Sequence, residues 1–294
     1  MTIVDSHVHV YPSRKEGRRA KDSYEIWEYG TGGSPAFAAW TGDLEDAMSA
    51  MVEGGIDLAV VTNLLAPLPG ASPADALLMF NEWLVATVAR YPQFVPFLAV
   101  DPRVVPVAEL VAHLHVMAAR GAAGIKIHPP AQLLDLRDES VWPLFEACQD
   151  LGLRVISHSG PSRTGSPLGE PDAFRGLLDA FPRLNLSLAH LGGAAWRQTV
   201  PLARDYPQVY FDCCEIIEWL GAERAPSHQE FVELIREVGV ERVMMGSDFP
   251  WYDMRQTVRR VRNLPGLRAG EIAMILGENA SRFLGLANGA GARS

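Results

Sequence analysis

Short apolar runs rich in β-branched residues recur along the whole chain. They predict strands at Ile3–Val10, Ile56–Asn63, Phe94–Asp101, Gly124–His128, Arg154–His158, Asn185–His190, Val209–Cys213 and Arg242–Gly246. Most are apolar at nearly every position rather than alternating, as expected of strands buried on both faces of a parallel sheet. Helical patterns separate them, over Asp43–Glu53, Pro73–Tyr91, Pro106–Arg120, Ser140–Leu151, Asp172–Phe181, Ala195–Tyr206, His228–Val238 and Asp253–Asn263. Several carry their own punctuation. Asp43 reads as an N-cap, Ser72 precedes a Pro at the first helical position, and Ser227-x-x-Glu230 reads as a capping box. Gly121 and Gly152 follow helix ends, where glycine relieves the left-handed turn.

Strand and helix alternate through the chain, so the fold class read from the pattern is α/β, a (β/α)₈ barrel spanning residues 1–294 as one domain. Further helices are expected over Gly270–Leu286, and Ala287–Ser294 reads as a frayed tail. Two segments break the rhythm. Tyr11–Gly42 is long, with a basic run and the aromatics Trp27, Tyr29 and Trp40, and reads as a packed lid or insertion loop. Ser159–Pro171 is rich in Gly, Pro and Ser. Both follow strand C-termini, the face on which barrel enzymes build their sites.

Composition narrows the function classes. A hydrophobic content of 48% and charged content of 21% suit a globular protein with a large core. The net charge of −9 and the lack of a clustered basic patch argue against a nucleic-acid partner. No run approaches membrane-spanning length, and a strand starting at the chain's beginning leaves no room for a signal peptide. The three cysteines, Cys148, Cys213 and Cys214, suit a reducing cytoplasm rather than a disulfide framework, and the last two read as buried strand-end residues.

The ionisable residues fall at strand ends. His7 and His9 are two apart on the first strand, so both side chains share one face. Lys126 and His128 close the fourth strand, His158 the fifth and His190 the sixth, and Asp248 follows the eighth. One such His alone is more often a satisfied core residue than a ligand. Here His7, His9, His128, His158 and His190, five of the eight in the chain, converge on the predicted barrel mouth. His113, His115 and His228 fall on helices and read as surface residues. Imidazole and carboxylate donors suit Zn²⁺, and also Mn²⁺ or Fe²⁺. Asp248 could instead cap a helix, and Lys126 could be an ordinary snorkelling cation. Trp27, Trp40, Trp251 and Tyr252 could equally line an aromatic pocket or simply pack.

Asp-Ser-His-Val-His, Lys-Ile-His-Pro, His-Ser-Gly, Ala-His-Leu-Gly-Gly and Gly-Ser-Asp-Phe-Pro, in this order, resemble the amidohydrolase superfamily, and within it the branch that includes aminocarboxymuconate-semialdehyde decarboxylase. The closing Leu-Gly-Glu-Asn-Ala-Ser-Arg-Phe-Leu resembles that branch's C-terminal helix. The resemblance implies a metal-dependent enzyme with one divalent cation, Zn²⁺ first, on His7, His9, His158 and Asp248. It gives Asp248 and His190 the catalytic roles. Lys126, carboxylated in some branches of the superfamily to bridge two metals, is expected here to bind substrate together with His128, Arg163 and Trp251. The expected partner is a small, anionic substrate, and dimers are common in the branch. The expected reaction is hydrolysis of a lactone or amide, with nonoxidative decarboxylation of an aromatic or muconate-type acid as the runner-up and hydration third. A barrel with a merely structural metal is the non-enzyme alternative, disfavoured because structural sites are closed and Cys-rich.

Overall fold

A computed structural model describes residues 1–29, 39–63, 72–162 and 165–286, without side chains for 24–29. Eight strands form one sheet in sequential order: β1 (Val4–His9), β2 (Leu58–Thr62), β3 (Phe94–Ala99), β4 (Gly124–Ile127), β5 (Arg154–Ser157), β6 (Leu186–Leu188), β7 (Tyr210–Asp212) and β8 (Val243–Met244). Every neighbouring pair is parallel. The sheet closes on itself. Ser6 N–H donates to Met245 C=O at 2.9 Å, Asp248 N–H to His7 C=O at 2.9 Å and His9 N–H to Phe249 C=O at 2.7 Å. Closure therefore seats the residues that follow β8 directly beside the end of β1, and the expected (β/α)₈ barrel is the observed one.

Each strand is followed by a helix: α2 (Leu44–Gly54), α3 (Pro73–Val88), α4 (Val107–Ala119), α5 (Trp142–Leu151), α6 (Arg175–Ala180), α7 (Thr199–Asp205), α8 (His228–Val238) and α9 (Met254–Arg262). The caps behave as the sequence demands. Asp43 accepts from Asp46 N–H at 2.8 Å, and Ser227 and Glu230 form a reciprocal box. The C-terminal stretch Ala269–Phe283 is helical with one π turn, as expected. The insertion differs from the expected loop in carrying α1, Arg14–Tyr29. Its composition is mostly charged and polar, and the apolar positions at helical spacing, Ala20, Tyr24 and Trp27, are few. Trp27 and Tyr29 fall where side chains are not described, and residues 287–294 lie outside the described residues. Among the described residues no helix is long and apolar enough to cross a membrane.

Two apolar layers hold the barrel. Val4, Val60, Phe97, Ile156 and Met244, from five different strands, pack together inside it, closed below by Ala280 and Phe283. The larger cluster lies between sheet and helices and includes Val8, Ile125 and Ile127. Val4 and Val8 would share a face in a regular strand. They do not, because the β1 register shifts between Asp5 and Val8. Such an irregularity re-aims the residues beyond it, and here it turns His7 and His9 inward, above the apolar layer.

Candidate metal centre and active site

His7, His9, Lys126, His128, His158, His190, Asp248 and Trp251 line one small cavity of about 10 Å³ at the barrel mouth. All eight side chains are buried or nearly so. His9 Nε2 stands 3.1 Å from Asp248 Oδ1, and His7 Nε2 stands 3.5 Å from the same oxygen. Donors bound about 2.1 Å from a tetrahedral ion are about 3.4 Å apart. The spacing of His7, His9 and Asp248 therefore fits a divalent cation, and the three donor atoms lie within 4.8 Å of one another. Two neutral imidazoles and one carboxylate are also the right donor chemistry for Zn²⁺ or Mn²⁺. His158 lines the same cavity but belongs to none of the groups whose donors lie that close. Its ring instead stacks on His128, centroids 3.8 Å apart.

The protonation states suit ligation. Burial pushes His9 down to about 4 and holds His128 and His158 well below their ordinary value. All three are then neutral at pH 7, as ligation requires. Burial alone would raise Asp248, but the His7 and His9 imidazoles beside it prevail and hold it far below the usual carboxylate range. It is thus ionised, and backbone strain fixes it, since Asp248 has φ 57°.

His7 is oriented from behind. Its Nδ1–H donates to Asp212 Oδ2 at 3.2 Å, which leaves the Nε2 lone pair facing the mouth. Carboxylate support of this kind fixes the tautomer and ring of a ligating histidine. Asp212 also accepts from His190 N–H at 2.9 Å, from Cys214 N–H at 3.2 Å and from the Cys214 thiol at 2.8 Å. It thus ties the ends of β1, β6 and β7 together. Cys213 and Cys214 are buried strand-end residues as expected, but the contacts of Cys214 with the site were not anticipated. Its Sγ lies 3.1 Å from both His7 Nδ1 and His190 Nδ1. An Asp closing an otherwise apolar strand was the available signal for Asp212.

Lys126 donates from Nζ to His7 Nε2 at 2.8 Å. Burial lowers this ammonium's pKa, against the pull of Asp248 and Asp212. Lys126 thus stands on the nitrogen a metal would use, and a cation bound there would require it to move off. His128 Nδ1 accepts from Ala131 N–H at 3.2 Å, capping the turn Pro129–Gln132, which places the ring proton on Nε2. Trp251 stands edge-on to His9 at 5.0 Å. Arg163 lies outside the described residues. Trp40 donates to Asp253 at 3.2 Å and Trp219 to the Tyr252 hydroxyl at 2.9 Å, both away from the metal donors. His113 is half-buried against Asn81 at 3.4 Å rather than on the surface, because α4 turns that face toward α3.

A space of about 10 Å³ holds little more than one water. An adjoining cavity of about 180 Å³ shares His158 and His190 and is walled by Pro161, Ile216, Trp219 and Arg224. It is smaller than the about 300 Å³ usual for drug-sized ligands. A larger cavity of about 720 Å³ lies behind the β7 loop, against Trp40 and α9, and contains none of the converging residues. Size alone would select the wrong site.

Gly246 makes the close packing possible. A Cβ there would stand 2.9 Å from His7 Cβ and 3.3 Å from Cys214 Cβ. Gly246→Ala is expected to push His7 off its mark although it touches no metal. Overpacking of this sort costs about 1–3 kcal/mol, so chelator competition should show metal binding weakened about tenfold or more, with the far-ultraviolet circular dichroism unchanged.

A family model described as Amidohydrolase matches residues 4–286. The 2-amino-3-carboxymuconate-6-semialdehyde decarboxylase of Dictyostelium discoideum is 24% identical over 249 residues, covering 74% of this chain and 69% of that protein. Among solved structures, an uncharacterised TIM-barrel protein from Bordetella bronchiseptica superposes with a TM-score of 0.77 at 20% identity, covering 98% of this chain and 99% of that one. The 5-carboxyvanillate decarboxylase of Sphingomonas paucimobilis gives 0.69 at 21%, covering 96% and 98%.

Proposed function

The chain belongs to the amidohydrolase family, and from that premise we propose that it is a metal-dependent carboxy-lyase, removing CO₂ from a small aromatic or muconate-type acid. The observation that carries this reading is the curated relative, a decarboxylase by name that aligns across most of both chains. It favours the lyase over the hydrolysis expected from the motifs. The site is compatible with it. The small cavity has room for a carboxylate oxygen, and the neighbouring one for a single ring or a short diene.

His7, His9 and Asp248 would hold the cation, with His158 as the fourth donor after rotation away from its stack on His128. A divalent cation there supplies fixed positive charge for the substrate's carboxylate and an adjacent oxygen. Lys126, released from His7, binds the same anionic end. As the C–C bond breaks, its electron pair stays on the substrate carbon and CO₂ leaves. A proton must then reach that carbon. Asp248, held ionised, is a poor source. His190 is the better one, because it borders both cavities. Its Nδ1 faces Cys214 C=O at 3.3 Å, leaving Nε2 to give the proton and recover it from solvent.

The test offers zinc- or manganese-loaded protein a panel of carboxyl-labelled aromatic and muconate-type acids. Labelled CO₂ from at least one acid is the expected result. Acid release from lactones or amides, with no CO₂ from any acid, assigns hydrolysis instead.

A further inference from the structure

The first residue past Cys214 carries strain that packing does not require. Glu215 has φ 58° and ψ −63°, and Ile216 N–H closes back on Cys214 C=O at 2.6 Å. This is a γ-turn of positive φ, rare and strained for a residue with a side chain. Strain of this kind persists where surrounding structure enforces it, and it clusters at functional sites. Two of the other non-glycine residues with positive φ, His190 at 63° and Asp248 at 57°, stand beside it at the same mouth. The turn directs Glu215 into the substrate cavity, where its Oε2 lies 3.4 Å from His190 Nδ1.

We propose that Glu215 is the positioning residue for His190. Its carboxylate, 3.4 Å from Nδ1, holds the ring so that Nδ1 points at the β7 turn and Nε2 faces the substrate. The inference rests on the proton-transfer role given to His190 above. Among the described residues, Nδ1 also meets Cys214, and the ring stands against those of His7 and His158. Cys214 offers its carbonyl and thiol to the same nitrogen, but neither carries the charge by which a carboxylate attracts an N–H proton. Asp212 receives the His190 backbone N–H, not its ring. The surroundings also explain why Glu215 serves the ring rather than a second cation. His190, Glu215 and Asp248 have donors within 4.8 Å of one another. A second ion there would share Asp248 with the first and stand close to the Lys126 ammonium, with only two carboxylates to offset two divalent charges.

Glu215→Gln keeps the shape and removes the charge. In zinc-loaded protein with histidine nitrogens labelled, wild-type His190 is expected in the Nδ1–H form, and Glu215→Gln is expected to shift part of the population to Nε2–H. The resonance is assigned by its loss in His190→Asn. An unchanged ring spectrum overturns the inference, and so does loss of bound zinc, which would make Glu215 a metal ligand. This arm needs no substrate, so absence of CO₂ release would fell the lyase reading without deciding this one. With a turned-over acid, Glu215→Gln is expected to lower kcat roughly 10- to 100-fold at unchanged KM, with partial recovery in Glu215→Asp. His190→Asn/Glu215→Gln should be no slower than His190→Asn, and additive losses contradict the proposal.

Discussion

Asp248→Asn is expected to lower kcat/KM by roughly a thousand-fold or more. Asp248 is the one carboxylate among the residues lining the metal cavity, where it faces the imidazoles of His7 and His9 and the Lys126 ammonium. An amide has nearly the same shape but no charge. A divalent cation beside a buried ammonium would then have no counter-charge in contact with it, and burying uncompensated charge is expensive. The variant should therefore lose metal affinity along with rate, and excess metal should restore only part of the activity. Steady-state kinetics at two metal concentrations separates these effects. Full recovery at high metal would confine Asp248 to ligation.

His190→Asn is expected to behave differently. Removing a general acid costs typically about 10²- to 10⁴-fold, and here the loss should fall on kcat with metal content unchanged. His190 lies outside the His7–His9–Asp248 group, and its ring nitrogen is turned toward the β7 loop. Asparagine keeps a polar group at the left-handed position, where φ is 63° and few residues are tolerated. Parallel measurement of kcat and bound metal decides the point. A variant that loses metal in proportion to rate would move His190 into the ligand set.

The barrel was legible because nearly every strand is buried on both faces, and residues such as Ala59-Val60-Val61 have no polar face to show. Strand ends were less so. The run Arg242–Gly246 reads as a full strand, but only Val243 and Met244 pair with β7, because Met245 N–H instead reaches Ile275 C=O and Gly246 lies against His7. The periodic positions of α1, Ala20, Tyr24 and Trp27, are outnumbered by charged neighbours and do not stand out. Of the site, His7, His9 and Asp248 could be read from strand position and motif order, and the structure brings them together. The supporting groups could not. Asp212 and Cys214 sit in what reads as apolar core, and their meaning depends on β7 lying beside β6 and, across β8, near β1. The Glu215 turn is a backbone property that no residue type announces. Lys126 is visible as a charge at a strand end, but not as a group that reaches His7 Nε2.

The central claim is that the barrel mouth holds one divalent cation on the β1 histidines and Asp248. Elemental analysis of metal-reconstituted wild type and His7→Ala, after removal of loosely bound ions, tests it most directly. A single equivalent in the wild type that falls to background in a folded His7→Ala is the predicted result. His7→Ala that keeps its full metal content would contradict the account.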